Sequence, residues 1–216
     1  MPDQRIGSAR LYGFIDTAYL GDRDPADLTR AMIDGGVDMI QVRAKQMTRA
    51  QRIELGGKVL GAASRLSVPV IINDDIDAAF EISADGVHLG QEDWAAIPRE
   101  TRRERLTGLR IFGISAHLLE QALAAERDGA DYIGVGPIFP TATKPGVKPV
   151  GLDLIRQIAE RVVTPLFAIG GITLDNLDHV LKAGAKRVAV VSAILGAPDV
   201  RKAAAEFKQR LQSLPL

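Results

Sequence analysis

The chain has 216 residues, 46% of them hydrophobic, no cysteine, and 27 Lys plus Arg against 27 Asp plus Glu. Zero net charge gives no support for a nucleic-acid or membrane-surface partner, and the lack of cysteine excludes disulfides, thiolate metal sites and cysteine nucleophiles. Apolar runs far shorter than about 20 residues and an N-terminus without a signal-peptide pattern predict a cytoplasmic protein with no membrane span.

Short apolar runs alternate with helical stretches and predict parallel β-strands joined by helices. Helices are expected at about residues 26–33, 49–63 and 118–127, and Asp24 followed by Pro25 is typical of a helix start. Runs that are apolar almost throughout fit strands buried on both faces. These runs begin near Leu11, Met39, Val68, Gly86, Ile111, Tyr132, Leu166 and Arg187.

Eight such repeats of roughly 27 residues predict an α/β fold, a single-domain (β/α)8 TIM barrel. We expect one domain over residues 1–216, with the barrel core at about residues 10–212. The alternative is an open, doubly wound sheet, but no glycine-rich phosphate fingerprint follows the first strand. Because active sites of such barrels lie at the C-terminal ends of the strands, sequence position gives a list of candidate residues.

The second strand carries three polar residues in alternation, Gln41, Arg43 and Lys45, which places them on one face of the strand. Two buried cations need anionic partners. These partners could be internal carboxylates such as Asp16 or Asp74. The alternative that we favour is a pyrophosphate clamp, in which Arg43 makes bidentate contacts and Lys45 supplies a point charge.

Acidic residues follow the third and fourth strands, Asp74 after Asn73 and then Asp93. If a helical crossover joins two parallel strands, both carboxylates emerge at the same edge of the sheet. Such a pair can hold Mg²⁺, which usually takes phosphate oxygens as its other ligands. The alternative is purely structural: the acids belong to turns or cap helices, with Asp93 capping a helix that begins at Trp94.

The fifth and sixth strands lead to hydroxyl groups and another cation. Ser115 ends the fifth strand, with His117 close by as a possible acid or base. The long loop 136–146 carries Thr141, Thr143 and Lys144, which can bind the oxygens of an anionic substrate, although it could also be a solvated surface loop. His88 is interpreted as a core histidine and His179 as a surface one.

Glycines and a serine follow the last two strands. Gly170 and Gly171 come after the seventh strand and Ser192 after the eighth. Glycine lets backbone N–H groups approach a phosphate closely, and phosphate sites recur at this place in barrels. The alternative is that the glycines serve only a turn.

From about Leu11 to Ile194, these segments together resemble the thiamine phosphate synthase family, whose fold is a (β/α)8 barrel. The motifs are Gln41-x-Arg43-x-Lys45, residues 73–74 with 86–93, residues 113–115, residues 131–144 and residues 168–172. The resemblance implies that hydroxymethylpyrimidine pyrophosphate couples to a thiazole phosphate, giving thiamine phosphate and pyrophosphate. One difference is Ile15-Asp16 where the family often has Thr-Asp, which puts one minor hydroxyl contact in doubt.

The resemblance also implies residue roles. Asp74 and Asp93 would carry Mg²⁺, and Gln41 would contact the pyrimidine. The pyrophosphate would be held by Arg43, Lys45, Asn73, Ser115 and Lys144. Among these, the expected catalytic residues are Arg43, Lys45, Ser115 and Lys144. Thr141 and Thr143 would contact the thiazole. Its phosphate would be bound by Gly171, Val191 and Ser192.

The expected chemistry is a Mg²⁺-assisted dissociative displacement, in which fixed cations stabilise the leaving pyrophosphate and no protein nucleophile is needed. The partners are therefore two small phosphorylated molecules, while no oligomeric state is indicated. Alternatives are a thiazole tautomerase of the same fold, a phosphosugar isomerase barrel and a non-catalytic phosphate sensor. The paired acids and Asn73-Asp74 favour the synthase over the tautomerase, which has no pyrophosphate to hold. A phosphosugar isomerase would not explain Arg43, Lys45 and two metal-type acids together, and the complete set of polar candidates argues against a sensor.

Overall fold

The computed structural model describes residues 3–143 and 146–212. Within these residues there are eight strands: β1 (Leu11–Asp16), β2 (Met39–Arg43), β3 (Val70–Asn73), β4 (Gly86–Leu89), β5 (Ile111–Ala116), β6 (Tyr132–Val135), β7 (Leu166–Ile169) and β8 (Val188–Ala189). Each strand pairs in parallel with the next along the chain. β1 also pairs with β8, Tyr12 opposite Ala189, so the sheet closes into a barrel.

Helices connect the strands and surround the barrel. They are α1 (Gln4–Ser8), α2 (Thr17–Leu20), α3 (Pro25–Asp34), α4 (Arg49–Ala63), α5 (Ile76–Glu81), α6 (Gln91–Ala96), α7 (Arg102–Leu106), α8 (Leu119–Arg127), α9 (Leu152–Arg161), α10 (Leu174–Lys182), α11 (Ser192–Leu195) and α12 (Val200–Gln212), with a 3-10 turn at Ser64–Leu66. In the described part of the chain, no helix combines the length and apolar character needed to cross a bilayer.

The closed parallel barrel confirms the predicted TIM-barrel fold and excludes the open sheet. The strand starts agree with the predicted ones to within two residues; β3 begins at Val70 rather than Val68, and β8 at Val188 rather than Arg187. β3 starts after Pro69 because proline has no backbone N–H to donate to a neighbouring strand.

Capping side chains explain where two predicted helices begin. The carboxylate of Asp24 accepts hydrogen bonds from the backbone N–H groups of Ala26 and Asp27, and α3 starts at Pro25. Thr48 starts α4 with a reciprocal capping box. These contacts satisfy N–H groups that have no partner inside the helix, and each such cap stabilises its helix by about 1 kcal/mol.

Apolar side chains form two layers, one on each side of the barrel wall. On β1, Phe14 points into the barrel, whereas Ile15 points outward to the surrounding helices. This alternation follows from the two-residue period of a strand. The large inward side chains are Tyr12, Phe14, Met39, Ile71, Ile111, Tyr132 and Phe167.

Helix α1 closes the end of the barrel at which the strands begin. Ile6 is fully buried in the inner layer, and Arg5 reaches Asp85, just before β4, at 2.9 Å. The other end, where the strands finish, carries the pocket described next.

Candidate active site

A pocket opens at the C-terminal ends of the strands, where the sequence places the candidate residues. Its empty volume is about 850 Å³, including the space open at its mouth. The predicted residues that line it are Gln41, Arg43, Asn73, Ser115, Thr141, Thr143, Gly171, Val191 and Ser192. Lys144, also predicted here, lies outside the described residues.

The polar residues of the second strand run from the barrel interior to its mouth. Gln41 is buried, Arg43 is half-buried, and Lys45 lies on the loop beyond the end of β2 and is exposed. Arg43 donates to the buried Asp16 carboxylate at 2.7 Å, and Lys45 contacts Asp74 at 2.6 Å. The cations therefore have the internal acidic partners that the sequence suggested. Arg43 also lines the pocket, whereas Lys45, Asp74 and Asp93 are not among its lining residues.

The two predicted metal ligands lie next to each other. Asp74 and Asp93 are within hydrogen-bonding contact, and Asn73 Nδ2 donates to Asp74 at 2.6 Å. Burial disfavours the ionised form of Asp74, but contact with the Lys45 ammonium outweighs it, so the pKa of Asp74 is lowered. Asp93 is exposed, but partial desolvation and the neighbouring Asp74 carboxylate both raise its pKa.

Neither acid is the N-cap residue of a helix, although the Asp93 carboxylate accepts the backbone N–H of Gly90, which is the N-cap of α6. Asp75, not Asp74, caps α5 by accepting from Ala78, and α6 begins at Gln91, so the alternative expectation that Asp93 caps a helix starting at Trp94 is wrong. Asp74 also adopts a left-handed backbone conformation, with φ of 64°. That conformation is disfavoured for residues other than glycine, and such local strain concentrates at functional sites.

The donor chemistry of this acidic pair fits Mg²⁺. Two adjacent carboxylates offer hard oxygen ligands, and a cation would relieve the repulsion that raises the pKa of Asp93. Among residues 3–143 and 146–212, no cluster of three or more His, Cys, Asp or Glu side chains could hold a metal by itself. A Mg²⁺ with one or two carboxylates and several substrate or water oxygens has no need of such a cluster.

A chain of buried polar groups forms the floor of the pocket. Gln41 Nε2 donates to the Tyr12 hydroxyl at 2.7 Å, and the Tyr12 and Tyr132 hydroxyls are 2.9 Å apart. Tyr132 lies 3.0 Å from Nδ1 of His88, whose Nε2 lies 2.9 Å from the Ser115 hydroxyl. Burial raises the pKa of both phenols, so they are neutral at physiological pH.

Sequence reasoning missed Tyr12 and Tyr132 as residues of the site. Alternation could have found Tyr12, because Tyr12, Phe14 and Asp16 share one face of β1 and Asp16 was already a candidate. Tyr132 is the first residue of β6, and its distance from the strand end hid it. His88 is buried as predicted, yet it lines the pocket.

The other two histidines differ in position. His117 lies at the pocket wall, where its Nδ1 donates to the Gly136 carbonyl oxygen and its backbone N–H donates to Gln121 at 2.7 Å. His179 is exposed on α10, as predicted for a surface residue.

The loop after β6 is attached to the end of β7 and to α2. The N–H of Phe139 donates to the Gly170 carbonyl at 3.0 Å, and the hydroxyls of Tyr19 and Thr143 are 3.0 Å apart. Thr143 N–H donates to the Thr141 hydroxyl at 3.2 Å. These contacts hold both predicted threonines at the pocket wall.

Gly170 and Gly171 have backbone conformations that other residues rarely adopt, with φ of 97° and 67°. A Cβ atom on Gly171 would lie 2.5 Å from the Pro140 carbonyl oxygen. The N–H groups of Gly171 and Ser192 have no protein acceptor in the part of the chain that the structure describes. Both residues line the pocket, at the strand ends where barrels commonly bind phosphate.

A family model described as thiamine monophosphate synthase matches residues 11–194 of the chain. Thiamine-phosphate synthase of Chloroflexus aurantiacus is 44% identical over 200 residues, covering 92% of this chain and 91% of the relative. The protein of the same name from Thermus thermophilus is 46% identical over 186 residues, covering 86% and 88%. Among solved structures, thiamine phosphate pyrophosphorylase from Pyrococcus furiosus is 36% identical, with a TM-score of 0.85 and 98% of each chain covered.

Proposed function

The chain belongs to the thiamine monophosphate synthase family, and from this premise we propose how its pocket carries out the reaction. Its function is thiamine-phosphate synthesis, a transferase activity. In our proposal hydroxymethylpyrimidine pyrophosphate and a thiazole phosphate bind together, and the thiazole nitrogen replaces pyrophosphate on the pyrimidine methylene. The observation that carries the proposal is the contact between Asp74 and Asp93, beside Lys45 and near Arg43.

Two acids and two cations at one edge of the barrel suit a pyrophosphate bound together with a divalent cation. Asp74 and Asp93 would hold Mg²⁺, which supplies positive charge to the phosphate oxygens. Arg43 and Lys45 would bind pyrophosphate oxygens directly, with Asn73 and Ser115 as neutral donors. Lys144, which lies outside the described residues, is assigned to the same group.

Release of pyrophosphate before attack by the thiazole is the path that this arrangement supports. An electron-rich aminopyrimidine can bear positive charge at its methylene, so the protein's task is to stabilise the departing anion. Preorganised charges do this without reorganising during the reaction, and they often supply the largest catalytic contribution. A protein nucleophile has no part in this path.

The remaining candidates would bind and orient the two organic groups. Gln41, on the pocket floor, would contact the pyrimidine. Thr141 and Thr143 would contact the thiazole, holding its nitrogen towards the methylene. The thiazole phosphate would be bound at the ends of β7 and β8, by Gly171, Val191 and Ser192.

The proposal is tested by measuring pyrophosphate release from the purified protein with both phosphorylated substrates. We expect release only when the pyrimidine pyrophosphate, the thiazole phosphate and Mg²⁺ are all present, with thiamine phosphate formed in equal amount. Reactions that lack one component are the controls. Release that does not depend on Mg²⁺ would contradict the metal assignment, and an absence of release would contradict the coupling reaction.

A further inference from the structure

Five polar side chains form one continuous hydrogen-bonded line inside the barrel. The proposed metal and substrate contacts give no role to its three middle members, Tyr12, Tyr132 and His88. The line runs from Gln41 through Tyr12, Tyr132 and His88 to Ser115. Its members are at most 8% exposed. Buried polar groups need hydrogen-bond partners, and a fully connected network fixes both the positions and the proton directions of its members.

The direction of the line follows from counting protons. An amide nitrogen only donates, so the Tyr12 oxygen accepts from Gln41, and the single Tyr12 proton is then available for the Tyr132 oxygen. The Tyr132 proton goes in turn to Nδ1 of His88, and Nε2–H of His88 donates to the Ser115 oxygen. Every phenol proton is used in this direction, whereas the reverse direction leaves Tyr12 with two incoming donors.

Packing prevents the His88 ring from turning away from this arrangement. The ring stacks on Tyr132, with centroids 5.4 Å apart and an angle of 25° between the planes. On another side, a Cβ atom at Gly134 would lie only 3.2 Å from Cε1 of His88. The backbone of Ser115 is held as well, because Gln91 Nε2 donates to its carbonyl oxygen at 2.5 Å.

We propose that His88 is a positioning residue that acts through Ser115. Its Nε2–H donates to a lone pair of the Ser115 oxygen, so the hydroxyl proton of Ser115 is directed into the pocket. Ser115 then acts as a ready donor to an anionic oxygen of the leaving pyrophosphate, with no need to rotate. This inference rests on the proposed function, in which Ser115 binds that group.

The tautomer can be measured in the unaltered protein by ¹⁵N-detected NMR of the imidazole rings. The three histidines, His88, His117 and His179, are distinguishable, since only His88 brings its Cε1 proton against Gly134. We expect a proton on Nε2 of His88, donated to Ser115. A proton on Nδ1, or on both nitrogens, would overturn the proposed direction of the hydrogen bonds.

A double-mutant cycle tests whether His88 acts through Ser115. Ser115→Ala should lower kcat/KM about 10- to 100-fold, the scale of a hydrogen bond to a charged group. His88→Leu should lower it about 10-fold, and the double variant should lose less than about 3-fold beyond Ser115→Ala. His88→Gln, which keeps an N–H donor near the Nε2 position, should restore most of the loss.

Each outcome separates this inference from the proposed function. Multiplicative losses in the double variant, or no rescue by His88→Gln, would reduce His88 to a packing residue while the unaltered protein still released pyrophosphate. Failure of the unaltered protein to release pyrophosphate would instead count against the proposed function. The exposed His179→Gln is the matched control and should leave kcat/KM unchanged.

Discussion

The two sides of the pocket mouth are suited to anions by different means. At the ends of β2 to β4, the carboxylate side uses charged side chains: Arg43, Lys45, Asp74 and Asp93. At the ends of β7 and β8, the glycine side uses backbone N–H groups, those of Gly171 and Ser192. The first depends on charge, which a substitution can remove without changing shape. The second depends on a backbone path that a single methyl group can block.

The sides also differ in what their groups contact before a ligand binds. On the carboxylate side, Arg43 is paired with Asp16 and Lys45 with Asp74. A ligand there exchanges one set of ion contacts for another. On the glycine side, the N–H groups of Gly171 and Ser192 have no protein acceptor in the described ranges, so an anion would supply their first partner. The carboxylate side should therefore be more sensitive to pH and salt.

The largest expected effect comes from removing one charge on the carboxylate side. Asp74→Asn and Asp93→Asn should each lower kcat about 10²- to 10³-fold, because the charge holding the cation is lost. Asparagine keeps the size of the side chain and tolerates the left-handed backbone of Asp74. The measurement is pyrophosphate release over a series of Mg²⁺ concentrations, with folding checked by circular dichroism.

Asp77→Asn is the matched control, because Asp77 is an exposed acid of α5 that pairs with Arg105 on the surface. It should retain full activity. Unchanged turnover in Asp74→Asn or Asp93→Asn would remove that residue from the metal site and weaken the contrast between the two sides.

A smaller effect is expected from adding a methyl group on the glycine side. Gly171→Ala places a Cβ atom 2.5 Å from the Pro140 carbonyl oxygen and 2.8 Å from Cβ of Phe139. We expect KM for the thiazole phosphate to rise about 10-fold, with a loss of about 1–3 kcal/mol of stability from the strained backbone. KM for the pyrimidine pyrophosphate should stay within about 2-fold.

Gly129→Ala is the control that separates the effect of backbone strain from that of a Cβ atom colliding with its neighbours. Gly129 also has a positive φ, 84°, but its added Cβ would meet no atom within 4 Å. It should lose stability in thermal unfolding and keep both KM values. If Gly171→Ala changed the two KM values equally, the glycine side would not be specific for the thiazole phosphate.

The contrast also shows what the sequence could and could not predict. Alternation and the position of strand ends require only local pattern, and they placed Gln41, Arg43, Asn73 and Ser115 at the pocket. The hydrogen bond between Tyr12 and Tyr132 joins residues 120 positions apart, so it depends on closure of the barrel. The positive φ of Asp74 is set by the turn between β3 and α5, and the conformation of that turn does not follow from amino-acid composition.

The smallest expected effect is on thermal stability. Mg²⁺ should stabilise the folded protein by an amount that depends on pH, and this dependence should require the acids of the carboxylate side. The pKa of Asp93 is raised by partial desolvation and by Asp74, so without metal its stabilising contribution is present below pH 3.8 and is lost as pH rises through its folded-state pKa. The pKa of Asp74 is lowered, so its contribution is present above pH 3.8 and is lost as pH falls through its own folded-state value. When both acids are charged their carboxylates repel each other, and a bound cation removes that repulsion.

At about ten times its Kd, Mg²⁺ should add about 1.4 kcal/mol at pH 7.5, raising Tm by roughly 3–6 °C. The rise should shrink at a pH low enough to protonate Asp93, because Mg²⁺ must then displace a proton from that carboxyl group. NaCl at matched ionic strength controls for screening. In Asp93→Asn the Mg²⁺ shift and its pH dependence should both disappear, whereas Gly171→Ala should keep them. An equal Mg²⁺ shift at both pH values would mean that the cation binds without Asp93, and the charge-based description of this side would then depend on Asp74 and Lys45 alone.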